Sequence, residues 1–413
     1  MLDSVSSGRS GGADTAVPPN RPADLARYVA AATMARSADG GAVVAVVLMV
    51  TVSGAPGWLA GLLGACVTAP HLLGPFVARR LDTARDGRTV IAAACVAHGA
   101  TLAAAVLVFP HVPAVVTGLL LIASGLVGPL LTGGISSRLP AIAGPDRTAQ
   151  RRAQGWDVAT YGLGGTVGPA IVAAVSAWAS PTAAALLLAA ATALAAILVR
   201  MLPWAPPPGA PSEVPRPART LLLMLASGPL RRTLYMTVTV AFALAALPIT
   251  AVASVGVAAA LAGVLTAAYG LGNLAGSAVV MIRPLRGDAD HLMTRLGLVV
   301  AVALGGVALA PGFSPAVVAY FVTGVLNAHF FAATLAARSE FAPARARGQV
   351  FVWIGAVKIT AGSAGTALAG ALIGVGGRLP LVLSVTVVTL VSLVSALDRR
   401  TRGTAHRSGP AAT

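Results

Sequence analysis

Pro203-Trp-Ala-Pro-Pro-Pro-Gly-Ala-Pro-Ser-Glu-Val-Pro-Arg-Pro217 cannot continue a helix or pair into a sheet. Proline fixes φ and removes the backbone donor, so this composition is that of a semi-rigid linker. It opens the longest polar gap of the 413-residue chain, residues 203–230. Within that gap only Leu221–Ala226 is apolar, and it reads as a short helix on a membrane surface. Six long apolar stretches precede the gap and six follow it. The first six cover residues 26–52, 57–78, 89–109, 114–136, 156–178 and 182–201. The second six cover residues 233–253, 257–281, 292–310, 315–337, 350–373 and 379–397. A helix needs about 20 apolar residues to cross the ~30 Å hydrocarbon layer, and these stretches have that length.

Composition points the same way. The chain is 56% hydrophobic and 10% charged, with a mean hydropathy of +0.83, more apolar surface than a water-soluble fold can hide. A formal charge of +16 would point to nucleic acid in a soluble chain, but its placement here forms no basic face. Of 28 arginines and one lysine, 26 fall in the two tails or in every second gap between apolar stretches. The other gaps hold only Arg378, and Arg36 and Lys358 lie inside apolar stretches. Cationic loops stay on the cytoplasmic side, which predicts a bacterial inner-membrane protein with both ends in the cytoplasm. Residues 1–24 are rich in Ser, Gly and Pro with no apolar core, and are expected to form a disordered cytoplasmic tail rather than a signal peptide. Trp58, Trp156, Trp178, Trp204 and Trp353 fall near span ends, as an interfacial aromatic belt requires. Cys66 and Cys95 sit in apolar stretches and read as small packing residues.

The halves are alike in sequence. Ala60-Gly-Leu-Leu63 matches Ala262-Gly-Val-Leu265, and at the same offset Ala65 matches Ala267, Leu72 matches Leu274 and Gly74 matches Gly276. Gly165 and Gly168 of the fifth span match Gly362 and Gly365 of the eleventh. Paired repeats mark transporters that bind their cargo between two bundles. Two local motifs accompany the repeat. One follows the second span: Gly74-Pro-Phe-Val-Ala-Arg-Arg-Leu-Asp82-Thr-Ala-Arg85-Asp-Gly-Arg88. The other places Gly155, eight residues, Gly164, three residues and Gly168-Pro169 along the fifth span.

With these features, residues 25–397 resemble the major facilitator superfamily, and the fifth-span motif resembles that of its bacterial drug exporters. The resemblance implies an all-α membrane protein with 12 transmembrane helices in two six-helix bundles. Its parts would be a tail (1–24), an N-terminal bundle (25–202), a cytoplasmic linker (203–230), a C-terminal bundle (231–397) and a second tail (398–413). It implies a cytoplasmic gate at Gly74, Asp82, Arg85 and Arg88. It also makes Gly155, Gly164, Gly168 and Pro169 a closely packed, bendable helix. The sequence departs from the exporter pattern at Val172-Ala173, where a Gly pair is usual, and in Gly118–Thr132, which lacks the charged arginine many exporters carry there.

Ionisable groups inside a bilayer cost about 2.5–3.5 kcal/mol or more, so they face cavities and partners. Arg36 and Asp39 lie one helical turn apart on the first span. They read either as a neutral structural pair or as a proton-titrated carboxylate held by an arginine. Lys358 is far from either end of the eleventh span. It pairs with Asp39, binds an anionic substrate group, or snorkels inward. His71, Asn273, Asn327 and His329 complete the candidate substrate or coupling set, with His71 and Asn273 at equivalent repeat positions. His98 is a further buried polar residue, and Asp157 is assigned to charge compensation at a helix start.

No Cys/His/carboxylate cluster has metal spacing and no GxxxxGK[ST] loop is present, so no metal, cofactor, catalysis or ATP hydrolysis is expected. The partners expected are a small-molecule substrate, protons and the lipid bilayer, with no nucleic acid, and the chain is expected to be a monomer. The function expected is proton-coupled efflux of amphipathic molecules by alternating access. The alternatives are a uniporter or proton symporter importing a nutrient, and a non-transporting membrane sensor or scaffold.

Overall fold

The computed structural model describes residues 22–207, 209–255 and 259–405. The expectations for residues 1–21 and 406–413 fall outside them. Among the described residues twelve helices are long and apolar enough to cross a membrane. They are Pro22–Val52, Gly57–Thr83, Gly87–Val108, Ala114–Ala143, Arg147–Trp178 and Pro181–Arg200, then Gly228–Val255, Leu261–Ile282, Ala289–Leu309, Phe313–Phe341, Ala344–Ile373 and Leu379–Arg400. They are called the first to twelfth spans below. The even number puts both described ends and the basic turns on one face, here called the basic face.

The helices run further into the basic turns than hydropathy alone indicates. Capping explains this. The side chains of Asp86, Asp146 and Asp288 accept the backbone N–H groups of Arg88, Ala149 and His291 at the third, fifth and ninth helix starts. Each such cap is worth about 0.5–2 kcal/mol, so charged residues such as Arg147 and Arg151 wind onto helix ends instead of lying in loops. The last helix likewise continues past residue 397 to Ala405. In the linker, Pro217–Ala226 forms the expected short helix. It buries Met224 against Leu230, Trp353 and Ile354. That contact removes Trp353 from the aromatic belt: its ring is buried and its indole N–H donates to the carbonyl of Pro217. Trp58 and Trp178 are well exposed.

Lipid tails are as apolar as leucine, so helices here associate through close packing. Glycine supplies it at repeat-equivalent places. A Cβ on Gly168 would collide with the Ser37 carbonyl, joining the fifth span to the first. A Cβ on Gly365 would collide with the Phe242 carbonyl, joining the eleventh to the seventh. Gly125 against Val67 and Gly324 against Tyr269 repeat the relation between the fourth and second spans and the tenth and eighth. Between the halves, the fifth span meets the eighth and tenth, and the second and fourth meet the eleventh.

The second and fourth spans are broken where proline intervenes. The second passes through a 3-10 turn, Ala69–Leu73, with Pro70 as its second residue. The fourth reaches Pro129 and then widens to a π-helical turn, Leu130–Gly134. Gly74 lies directly against Pro129, so the two breaks are neighbours.

Candidate functional site

Arg36 and Asp39 do not pair. Arg36 turns toward the fifth span, where its Nη1 lies 2.7 Å from Asp157 Oδ1, and both residues are almost wholly buried (3% and 1% exposed). The same guanidinium donates to Thr160 Oγ1, the Thr132 carbonyl and Ser136 Oγ. Tyr28 donates to Asp157 Oδ1 at 2.6 Å and Ser136 to Oδ2 at 2.8 Å. The Tyr161 ring covers the guanidinium, 3.6 Å from Cζ to the ring centroid. The assignment of Asp157 to a helix start is therefore corrected. The fifth span starts at Arg147 with Asp146 as its cap, and Asp157 lies nearly three turns further on.

Asp39, left without the arginine, meets His71 of the second span at 3.3 Å. His71 sits in the 3-10 turn and is 2% exposed. Gly128, one residue before the fourth-span proline, makes room: a Cβ there would meet both the His71 ring and Asp39 Oδ1. The pair thus sits where two broken helices touch, and π-turns of this kind recur at functional sites. His98 is separately engaged with Ser124.

A cavity of about 500 Å³ lies between the halves. Tyr161, Gly162, Gly165 and Thr166 of the fifth span face Val240, Leu244, Phe330, Phe331 and Ile359 across it. Asn273, Asn327 and Lys358 are its chief polar fixtures, and Asn327 donates to the Tyr269 hydroxyl at 2.9 Å. His329 is not among the lining residues; its ring bonds the Val325 carbonyl of its own helix. Lys358 does not reach Asp39 for an ion pair. Its Nζ rests over the rings of Phe331 (4.2 Å) and Tyr161 (5.1 Å). Arg338, which sequence reasoning left among the basic-loop residues, is 1% exposed beside this cluster. Its place in a tenth span that extends to Phe341 was the missing signal.

The hydrogen bonds and ion pairs that join the halves lie on the basic face. Asp82 accepts the N–H groups of Gly348 (2.9 Å) and Gln349 (3.0 Å), buried donors without an intrahelical acceptor in the first turn of the eleventh-span α-helix, which begins at Arg347. Gly348 admits this approach, because a Cβ there would strike Asp82. Arg151 pairs with Glu340 at 2.7 Å, joining the fifth and tenth spans. Arg88 and Arg85 do not join Asp82. Arg88 grips Asp86, and the Arg85 carbonyl accepts the Trp204 indole. Asp86, in the turn outside the membrane, has its carboxyl held well below the usual range, first by Arg88 and then by Arg200. In the fifth-span motif, Gly164 and Gly168 pack on the first span and Gly155 on Met281 of the eighth, with Pro169 inside the helix.

Two pseudo-symmetric six-helix bundles enclosing a central cavity define a multi-pass membrane protein. No protein-family model matches the chain, and no curated protein matches its sequence. Its backbone resembles the human organic anion transporter MFSD10 (TETRAN) with a TM-score of 0.73 at 14% identity, covering 91% of this chain and 100% of that one. It resembles a bacterial homologue of the iron transporter ferroportin in an outward-facing state (TM-score 0.69, 12% identity, 91% and 99% covered). It also resembles the proton:xylose symporter XylE bound to 6-bromo-6-deoxy-D-glucose (0.67, 11%, 90% and 94%). At these identities the likeness is one of fold, and that fold is the major facilitator fold.

Proposed function

We propose that the chain is a secondary transporter of amphipathic small molecules, working by alternating access in a bacterial inner membrane with both termini cytoplasmic. One observation carries the reading: a cavity of about 500 Å³ bounded by both bundles, with the clasps at Asp82 and Glu340 on one side of it. That volume is in the range of small-molecule sites, and its apolar walls with few polar fixtures suit an amphipathic guest. Cycling requires the clasps to form and break. Two hydrogen bonds to a helix start and the pairing of one part-exposed carboxylate, Glu340, with Arg151 and Arg147 are few enough to do both.

Proton coupling is assigned to Asp39 with His71, the carboxylate and imidazole at the junction of the broken helices. The Arg36–Asp157 pair, saturated by hydrogen bonds, keeps a structural role. Export is the direction proposed, on the fifth-span motif, and the unit is a monomer. The likeness to XylE, a proton:xylose symporter, supports import by the same machinery as the second reading. The test is flux through reconstituted proteoliposomes under an imposed pH gradient, with amphipathic dyes as cargo. Export predicts dye movement against its own gradient when protons flow the other way. Movement in the same direction as protons selects the symport reading, and indifference to the pH gradient removes proton coupling. The absence of any flux removes transport.

A further inference from the structure

A second, smaller recess of about 170 Å³ adjoins the central cavity and shares Tyr161, Phe331 and Lys358 with it. Its charges do not balance locally. Of the groups lining it, Arg36 is already bound to Asp157, and the one carboxylate, Asp39, faces His71. Arg338 and Lys358 form no ion pair among the described residues. Arg338 is 1% exposed, and its Nε and Nη2 have no acceptor. Among the described residues its guanidinium faces the rings of Phe331 (5.7 Å) and Phe351 (5.9 Å). An arginine keeps its charge when buried, and a buried guanidinium with unused donors is costly to hold. Ring faces offset part of that cost but accept no directed hydrogen bond.

We infer that the substrate is an amphipathic organic anion whose acid group enters this recess to meet Arg338 and Lys358 while its apolar body fills the larger cavity. The inference rests on the transport reading above and names its substrate class. The geometry separates the two ends of the guest. The edge-to-face pair of Tyr161 and Phe331, 4.9 Å between centroids, stands at the boundary and belongs to both spaces. Below it are the unused donors. Above it are Val240, Leu244 and Phe330. The recess has room for several waters at about 30 Å³ each, and therefore for a carboxylate or sulfonate head. The two cations come from the tenth and eleventh spans, while Tyr161 comes from the fifth. A bound acid group would therefore bridge the bundles that must move against each other.

The test is binding to the full-length chain in nanodiscs by isothermal titration of three probes of matched chain length: 6-phenylhexanoate, its isostere 6-phenylhexanamide, and 6-phenylhexylamine. The carboxylate is expected to bind about tenfold or more tightly than the amide, a gap of about 1.4 kcal/mol, with the amine weakest. Lys358→Gln is expected to erase that preference and Lys358→Arg to keep it. Arg338→Gln should act as Lys358→Gln does, and the lysine variants decide the matter if the arginine variant does not fold. If the amide or amine binds as well as the carboxylate, the anion assignment is overturned while the transport reading stands. The assignment is also overturned if Lys358→Gln leaves the order unchanged. Failure of all three probes to bind overturns both.

Discussion

Arg36 Nη1 and Asp157 Oδ1 meet at 2.7 Å although 121 residues separate them in sequence, and they tie the first span to the fifth. Three side-chain hydroxyls complete the network, from Tyr28, Ser136 and Thr160. Removing one partner of such a buried pair leaves an uncompensated charge and costs about 3–5 kcal/mol. Asp157→Leu is therefore expected to lower the thermal midpoint sharply. Arg36→Met combined with Asp157→Leu should lose less than Asp157→Leu alone, because no bare charge remains. Thermal unfolding of the purified variants decides it, and a double variant less stable than the single would show that the ion pair is not the source of the cost.

Asp39→Asn is expected to leave folding nearly intact, since Asp39 has one polar partner where Asp157 has several. It should uncouple flux from an imposed pH gradient in proteoliposomes while preserving exchange of substrate at equal pH on both sides. Full gradient-driven flux in this variant would move the coupling site elsewhere.

This division of labour was half legible in the sequence. The spans were legible because lipid imposes length and hydropathy, and the repeat offset alone pairs Gly74 with Gly276, which pack on the fourth and tenth spans respectively. Helix spacing put Arg36 and Asp39 on one face, yet facing the same way does not make two residues partners. The guanidinium found a better acceptor set on the fifth span. Asp157 was misplaced because hydropathy ends a helix where charges begin, whereas the Asp146 cap carries the helix on through them. Arg338 was lost for the same reason. The contacts of Asp82 with Gly348 and Gln349 link residues more than 260 apart, and nothing local announces them.

The repeat makes a paired prediction for glycine. Gly168→Ala and Gly365→Ala each push a Cβ into a backbone carbonyl that cannot rotate away. Overpacking of this kind costs about 1–3 kcal/mol. Gly165→Ala and Gly362→Ala, about one helical turn away but with open space around the added methyl, should be close to neutral for stability. Thermal midpoints of the four variants test this, and equal losses at all four would argue against close backbone approach at Gly168 and Gly365.

Asp86 gives a pH prediction outside the membrane. Arg88 and Arg200 hold its folded-state carboxyl below the unfolded value of about 3.9. A depressed carboxyl contributes stability that is fully present above the unfolded value and is lost as pH falls through the folded one. The stability difference between wild type and Asp86→Asn should therefore be flat from about pH 8 to 5 and shrink only below about pH 4. A difference that already declines between pH 7 and 5 would contradict the arginine contacts.

Asp82→Ala tests the clasp. It removes both acceptors from the first N–H groups of the eleventh span, Gly348 and Gln349, and takes a negative charge from a helix start. Those amides should exchange hydrogen faster, by up to about tenfold if one such bond is worth ~1.4 kcal/mol. Peptides from the opposite ends of the same spans should stay unchanged. Asp82→Glu should restore part of the protection, limited by the close approach of Gly348, whose added Cβ would already touch the carboxylate. Hydrogen exchange read by mass spectrometry distinguishes a local cap from a gate. Faster exchange confined to the first turn of the eleventh span marks a cap. Faster exchange spreading to the Arg151–Glu340 contact marks a gate in which the two clasps open together.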